Sequence, residues 1–116
     1  MKYIEYECPV TLTLEIIGGK WKALVMYHLR NGPLRTGEIK RIIPDITQKM
    51  LTQQLRELES DGLVKRRVYD NVPPKVEYSL TPLGETTKPL LNALCSWGYT
   101  YSKSLASTVE VIFKSA

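Results

Sequence analysis

The sequence predicts a mainly α-helical domain carrying one small β-hairpin, an α+β fold. Three patterns point to it. Apolar residues recur every three or four positions through 21–29, 51–58 and 90–105, the spacing of buried helix faces. Two short segments, 64–69 and 75–80, alternate in side-chain character with the period of a strand. Between them Asp70-Asn71-Val72-Pro73-Pro74 reads as a hairpin tip stiffened by proline.

Each element follows in chain order. Cys8-Pro9 starts a first helix, because proline is tolerated in a first turn, and Gly18-Gly19 stops it. The second helix places Trp21, Leu24, Val25, His28 and Leu29 on one stripe, flanked by Lys20, Lys22 and Arg30, and ends at Asn31-Gly32-Pro33. His28 has no partner near it in sequence and reads as a core or boundary histidine rather than a ligand or base. A third helix over 36–43 turns Ile39, Ile42 and Ile43 inward and stops at Pro44. Asp45-Ile46-Thr47-Gln48 offers either Asp45 or Thr47 as cap for a fourth helix. That helix runs to about Asp61, ends at Gly62 and buries Met50 or Leu51, then Leu55 and Leu58. In the first strand Val64 and Val68 share a face, opposite Lys65, Arg67 and Tyr69; in the second, Val76, Tyr78 and Leu80 lie opposite Lys75, Glu77 and Ser79. Thr81-Pro82 opens one long last helix along which Leu90, Leu94, Trp97, Tyr101 and Leu105 recur. Val109, Val111, Ile112 and Phe113 add an apolar patch near the end.

A chain of 116 residues, 43% of them apolar, suits a single domain spanning 1–116. Its net charge of +4 admits an anionic partner without demanding one. The two cysteines, Cys8 and Cys95, and the single histidine show no CxxC or HxxxH spacing, so neither a metal nor a cofactor is expected. No run approaches the roughly 18–20 apolar residues of a membrane span. Residues 1–8 lack the basic-then-apolar order of a secretory signal, so the expected compartment is cytoplasmic. Gly18-Gly19-Lys20-Trp21 is too short for a phosphate-binding loop. No nucleophile has a base beside it, no catalytic residue is assigned, and an enzyme is not expected.

One stretch carries the functional argument. Segment 47–56 contains no acid, and its outward face offers Thr47, Gln48, Lys49, Thr52, Gln53 and Arg56. An α-helix fits the major groove of double-stranded DNA, where glutamine pairs with adenine and lysine or arginine with guanine. The acids Glu57, Glu59 and Asp61 come later, which suits a helix that inserts its N-terminal part. The short turn 44–46 joins this helix to the preceding one as a helix-turn-helix. Lys65, Arg66, Arg67 and Lys75 then make a basic hairpin with Asn71 at its tip, able to lie along a phosphate backbone or enter a minor groove. Lys20, Lys22, Arg35 and Lys40 are further candidates for phosphate contact. The expected fold is a winged helix-turn-helix, with the N- and C-terminal helices expected to serve as dimerisation helices.

Three segments in order carry a family likeness: Ile17-Gly18-Gly19-Lys20-Trp21-Lys22, then 46–58, then Val72-Pro73-Pro74-Lys75-Val76-Glu77-Tyr78-Ser79-Leu80-Thr81. In these, and from about Cys8 to Gly98, the chain resembles HxlR-type transcription regulators, relatives of the MarR group. Thr36-Gly37 departs from the pattern, which has a larger aromatic residue near that point. The resemblance implies a homodimeric regulator of a neighbouring gene, more often a repressor, with the recognition helix at 47–58 and the wing at 70–75. It also implies that a cysteine at the N-terminal position senses oxidants or electrophiles, and Cys8 matches that position. The alternative is an unreactive cysteine, although the positive end of a helix dipole generally makes a thiol there more reactive. Cys95 reads as core or interface.

The last helix holds more apolar surface than so small a domain hides. Some of Leu90, Leu94, Trp97 and Tyr101 are therefore expected to meet the same helix of a second subunit, with its first helix as a further candidate, and 82–113 as the main dimerisation region. Such a pair spaces two reading helices about one helical turn apart, on a roughly palindromic operator.

Overall fold

The computed structural model describes residues 2–105 and 107–114. Helix α1 (Pro9–Ile17) has proline in its first turn and closes where the Gly18 N–H reaches the Leu14 carbonyl at 2.8 Å. Helix α2 (Lys22–His28) tightens into a 3₁₀ turn at Leu29–Asn31. Helices α3 (Thr36–Ile42) and α4 (Gln48–Ser60) follow, then strands β1 (Val64–Tyr69) and β2 (Lys75–Leu80), a single turn α5 (Pro82–Glu85) and the long α6 (Lys88–Ser104). The strands pair antiparallel from Val64↔Leu80 to Tyr69↔Lys75. Leu34 adds one rung on the other side of β2, exchanging both backbone hydrogen bonds with Tyr78 at 2.9 Å. That rung anchors the α2–α3 connection to the hairpin, so the wing cannot swing freely from the helices.

The core lies where α2, α3, α4 and the base of the hairpin meet. Val25, Met26, Ile39, Ile46, Leu51, Leu55 and Leu58 have no exposed surface, and Val64, Tyr78 and Leu80 close this core from the strands. Geometry requires glycine at Gly62 and at Gly84, among other places. At Gly62 (φ +78°) the chain reverses out of α4: the Leu63 N–H bonds the Leu58 carbonyl and the Gly62 N–H bonds that of Glu59, the pairing that closes a helix over a left-handed residue. At Gly84 an added Cβ would lie 2.1 Å from the Leu63 carbonyl oxygen, so only glycine lets α5 press against the start of β1.

Several expectations are corrected. Ile42 is exposed rather than inward, because a two-turn helix presents only Ile39, with Ile43 just past its end, to the core. On α2, Val25, Met26 and Leu29 are the buried positions, while Trp21 and His28 are half-buried and Leu24 is exposed. Val68 is exposed because the hairpin extends past the helices that cover its base. The last helix is not continuous. The Pro89 ring cannot pack behind the Glu85 carbonyl four residues earlier, and the chain breaks between Glu85 and Lys88. Thr86 and Thr87 turn their hydroxyls back onto the Leu83 and Gly84 carbonyls there. Helix α6 stops at Ser104, and Val109, Val111, Ile112 and Phe113 lie on irregular chain. Their β-branched run is a poor helix former.

Candidate nucleic-acid interface

Thr47, not Asp45, caps α4: its Oγ1 accepts from the Met50 N–H at 3.0 Å. Leu51, Leu55 and Leu58 then fix the rotation of the helix by filling the core, with Met50 only half-buried. This leaves Thr47, Gln48, Lys49, Gln53 and Arg56 exposed and Thr52 half-exposed. The Gln48 side-chain amide donates to the Thr52 hydroxyl at 3.4 Å. Gln48, Lys49, Thr52, Gln53, Arg56 and Glu57 line one open depression. Glu57 is the only acid there, and it is matched: the Lys22 ammonium of α2 lies 2.9 Å from its carboxylate. That contact, with the charge of Lys22, holds the Glu57 carboxyl below its ordinary range.

Lys22 is therefore turned inward, its side chain only 12% exposed, and is withdrawn from the set of phosphate candidates. Lys40 is also engaged, donating to the Pro44 carbonyl at 3.0 Å. Lys20 stands over the Trp21 ring at 4.7 Å and stays exposed. Arg35 precedes α3 at its cap position, and its backbone N–H donates to the Glu38 carboxylate at 2.8 Å.

On the hairpin the register divides the cations between two faces. Lys65, Arg67 and Lys75 share one face with Tyr69 and Glu77; Arg66 lies on the other with Val68. The Arg67 guanidinium and the Lys75 ammonium both stand over the Tyr69 ring, at 4.5 and 4.8 Å. The Tyr69 hydroxyl and Lys75 together depress the Glu77 carboxyl. Lys65, Arg66, Arg67 and Asn71 are exposed, while Lys75 is half-buried beside Glu77. An exposed, uncharged-to-cationic helix face and an exposed cationic hairpin thus flank one core.

A model of the HxlR-like helix-turn-helix matches residues 16–106. The chain belongs to the HxlR-like family. It is a transcriptional regulator with a winged helix-turn-helix fold, not an enzyme. YkvN of Bacillus subtilis (strain 168), an uncharacterized HTH-type transcriptional regulator, is 62% identical over 99 residues, 85% of this chain and 84% of YkvN. The redox regulator HypR superposes in its reduced form with a TM-score of 0.81 at 53% identity, covering 86% of this chain and 99% of that one. Its oxidized form gives 0.78 at 56% identity over 80% and 96%. The reduced transcriptional regulator YodB from B. subtilis gives 0.70 at 35% identity over 79% and 91%.

In this HxlR-like chain Cys8 is exposed at the cap position of α1, and its side chain makes no capping bond. Cys95 is half-buried and accepts a hydrogen bond from the Tyr27 hydroxyl at 3.3 Å. Both thiols are free. None of the four residues named for dimerisation is core: Leu90 is 37%, Leu94 51%, Trp97 64% and Tyr101 52% exposed. Leu91 is the buried residue of α6 instead. Among the described residues no group of side chains could hold a metal, and no helix is long and apolar enough to cross a membrane.

Sequence reasoning missed two features of the site. The Lys22–Glu57 pair spans 35 positions and the Leu34–Tyr78 rung 44, and no local pattern marks either. The pairing of Glu57 had one weak signal, an acid placed late on an otherwise acid-free reading face.

Proposed function

We propose that this regulator binds a roughly palindromic operator as a homodimer and represses the gene beside it. Helix α4 reads bases through Gln48, Lys49, Thr52, Gln53 and Arg56 from the major groove, with Thr47 near a phosphate. The hairpin contacts the backbone through Arg66, Arg67, Asn71 and Lys75. One observation carries the reading: the N-terminal half of α4 is exposed, contains no acid, and stands on the same core as an exposed cationic β1. Burial of that face against the protein would have removed the reading altogether. The test is a gel shift on the DNA upstream of the gene encoding the protein, at several salt concentrations. Specific retardation that weakens steeply with salt supports it, since each neutralised phosphate contributes about 0.9 to the logarithmic slope. Equal retardation of unrelated DNA, or no salt dependence, refutes it. Transcription in vitro from the same promoter separates repression from activation.

A second reading concerns control. Cys8 is solvent-accessible at a helix start, and the similar proteins include a redox regulator known in reduced and oxidized forms. Oxidation at Cys8 then changes operator affinity. Diamide or a quinone is expected to alter the gel shift of the parent and leave that of Cys8→Ser unchanged. An equal response from both eliminates Cys8 as the sensor.

A further inference from the structure

We infer that Glu77 is a positioning residue of the hairpin. Together with Tyr69 it holds Arg67 and Lys75 in one arrangement on one face, and that ordering separates the operator from other DNA. This role rests on the operator reading above, to which it adds an acid.

A carboxylate is unexpected at this place. The surface is proposed to meet a phosphate backbone, which any acid repels. The hairpin has two acids, Asp70 and Glu77. Asp70 stands exposed at the tip, beyond the paired strands. Glu77 lies within β2, its side chain only 18% exposed and set among cations.

The pairing register closes four side chains into a ring. Arg67 stands opposite Glu77 and Tyr69 opposite Lys75, on the same face of the hairpin. Cross-strand partners and their diagonal neighbours are within reach of long side chains. The Lys75 ammonium lies 3.5 Å from the Glu77 carboxylate. It also stands 4.8 Å from the centre of the Tyr69 ring, and the Arg67 guanidinium stands 4.5 Å from that centre. Arg35 approaches from the far side of β2, because the antiparallel Leu34–Tyr78 rung sets the residue after Leu34 beside the residue before Tyr78. The Tyr69 hydroxyl, then the charges of Lys75 and Arg35, hold the Glu77 carboxyl below its ordinary range, so it is ionised at neutral pH.

The ring has two opposed effects on DNA. The negative charge of Glu77 weakens attraction to any duplex. The ordering of Arg67 and Lys75 strengthens binding wherever phosphates match their positions, since long side chains held in place beforehand lose less freedom on contact. The first effect falls on all DNA and the second on the correctly seated operator, so both raise the ratio of specific to nonspecific affinity.

The experiment measures binding of the full chain to the DNA upstream of its gene and to an unrelated duplex of equal length, at one salt concentration. Glu77→Gln keeps the size of the side chain and an acceptor for the Tyr69 hydroxyl, and removes the charge. Operator binding is expected to weaken about tenfold, although the variant is more cationic, while the unrelated duplex is held about twofold more tightly. In a chain already carrying Arg67→Gln and Lys75→Gln, the same change should instead tighten both, because nothing is left to position. Tightening of both duplexes by Glu77→Gln alone overturns the proposal and reduces Glu77 to its charge. Equal weakening of both makes the residue merely structural and overturns it too, as does an operator loss that persists in the Arg67→Gln, Lys75→Gln chain. Tyr69→Leu alters no charge and should weaken the operator severalfold while sparing the unrelated duplex. Should Glu77→Gln not fold by circular dichroism, parental operator binding in Tyr69→Leu is enough to overturn the proposal. A parent with no preference for its operator refutes the operator reading and this role with it. A parent that prefers the operator, beside a Glu77→Gln variant that prefers it equally, refutes this role alone.

Discussion

Lys22 and Glu57 show how single side chains prepare the proposed reading surface. An ammonium 12% exposed needs a partner, and Glu57 supplies it from the next turn of α4 after Gln53. The same contact cancels the one negative charge in the depression that would face phosphate. Its pH dependence has a definite sign. Glu57 has a folded pKa depressed below the ordinary 4.5, so its contribution to stability is present above that value and lost as pH falls through the depressed one. Lys22→Met is therefore expected to be less stable than the parent at pH 7 in urea denaturation, with the gap closing as the pH is lowered below 4.5. A gap that stays constant across that range excludes the ion pair as its source. The residues proposed to read bases give a second expectation. Gln53→Ala and Lys49→Ala should each cost about 1–3 kcal/mol against the preferred base and relax selection at one position per half-site. Selection from randomised operators measures this. Uniform weakening with no loss of preference assigns those side chains to the backbone instead.

Among the elements, α4 and the hairpin show what local pattern can and cannot convey. Leu55 and Leu58 were legible because each residue reports its own face, and the exposed set on the opposite side followed from them; the choice of Leu51 over Met50 needed the packing of the core. The choice between Asp45 and Thr47 was not legible, since both residue types cap helices and only the Met50 N–H decides. The break at Pro89 was written in the chain, yet the apolar recurrence from Leu90 to Leu105 overrode it, because periodicity is blind to a missing hydrogen bond at the start of a helix. The depth of Val68 depended on how far α4 reaches along β1 and α3 along β2, which alternation alone does not encode. The stop at Gly62 is testable: Gly62→Ala forces a Cβ into φ +78° and is expected to destabilise the fold by about 1 kcal/mol, read from the denaturation midpoint. An unchanged midpoint shows the turn can relax. On the hairpin, Arg66→Ala and Arg67→Ala should each reduce the salt slope of DNA binding by about 1. Arg66 and Arg67 lie on opposite faces of β1. A slope that falls for one and not the other identifies which face meets the backbone.

In the molecule as a whole the last helix is only partly covered by its own chain. Helix α6 is held to its own chain through buried Leu91 and the hydrogen bonds of Tyr27 to Cys95 and Arg30 to Asn92, while Leu90, Leu94, Trp97 and Tyr101 remain exposed and the Trp97 and Tyr101 rings lie 5.4 Å apart. Helix α1 adds Val10 and Leu14, each more than 60% exposed. Exposed apolar surface of this kind marks an interaction site, and in the proposed homodimer a self-complementary contact between two copies would cover it on both at once. The proposed dimer would also serve recognition. A single α4 would engage only a few base pairs, whereas two rigidly joined copies would engage both half-sites, the second contact being intramolecular. Trp97→Glu tests both links, from exposed helix to dimer and from dimer to operator. Because Trp97 is 64% exposed in the protomer, the substitution should leave the circular dichroism of the fold unchanged. It should convert the dimer to a monomer by light scattering and weaken operator binding at least about a hundredfold, leaving the nonspecific, salt-dependent component in place. A variant that remains dimeric and binds as the parent does removes α6 from the interface. One that becomes monomeric and still binds the full operator tightly removes the need for a dimer.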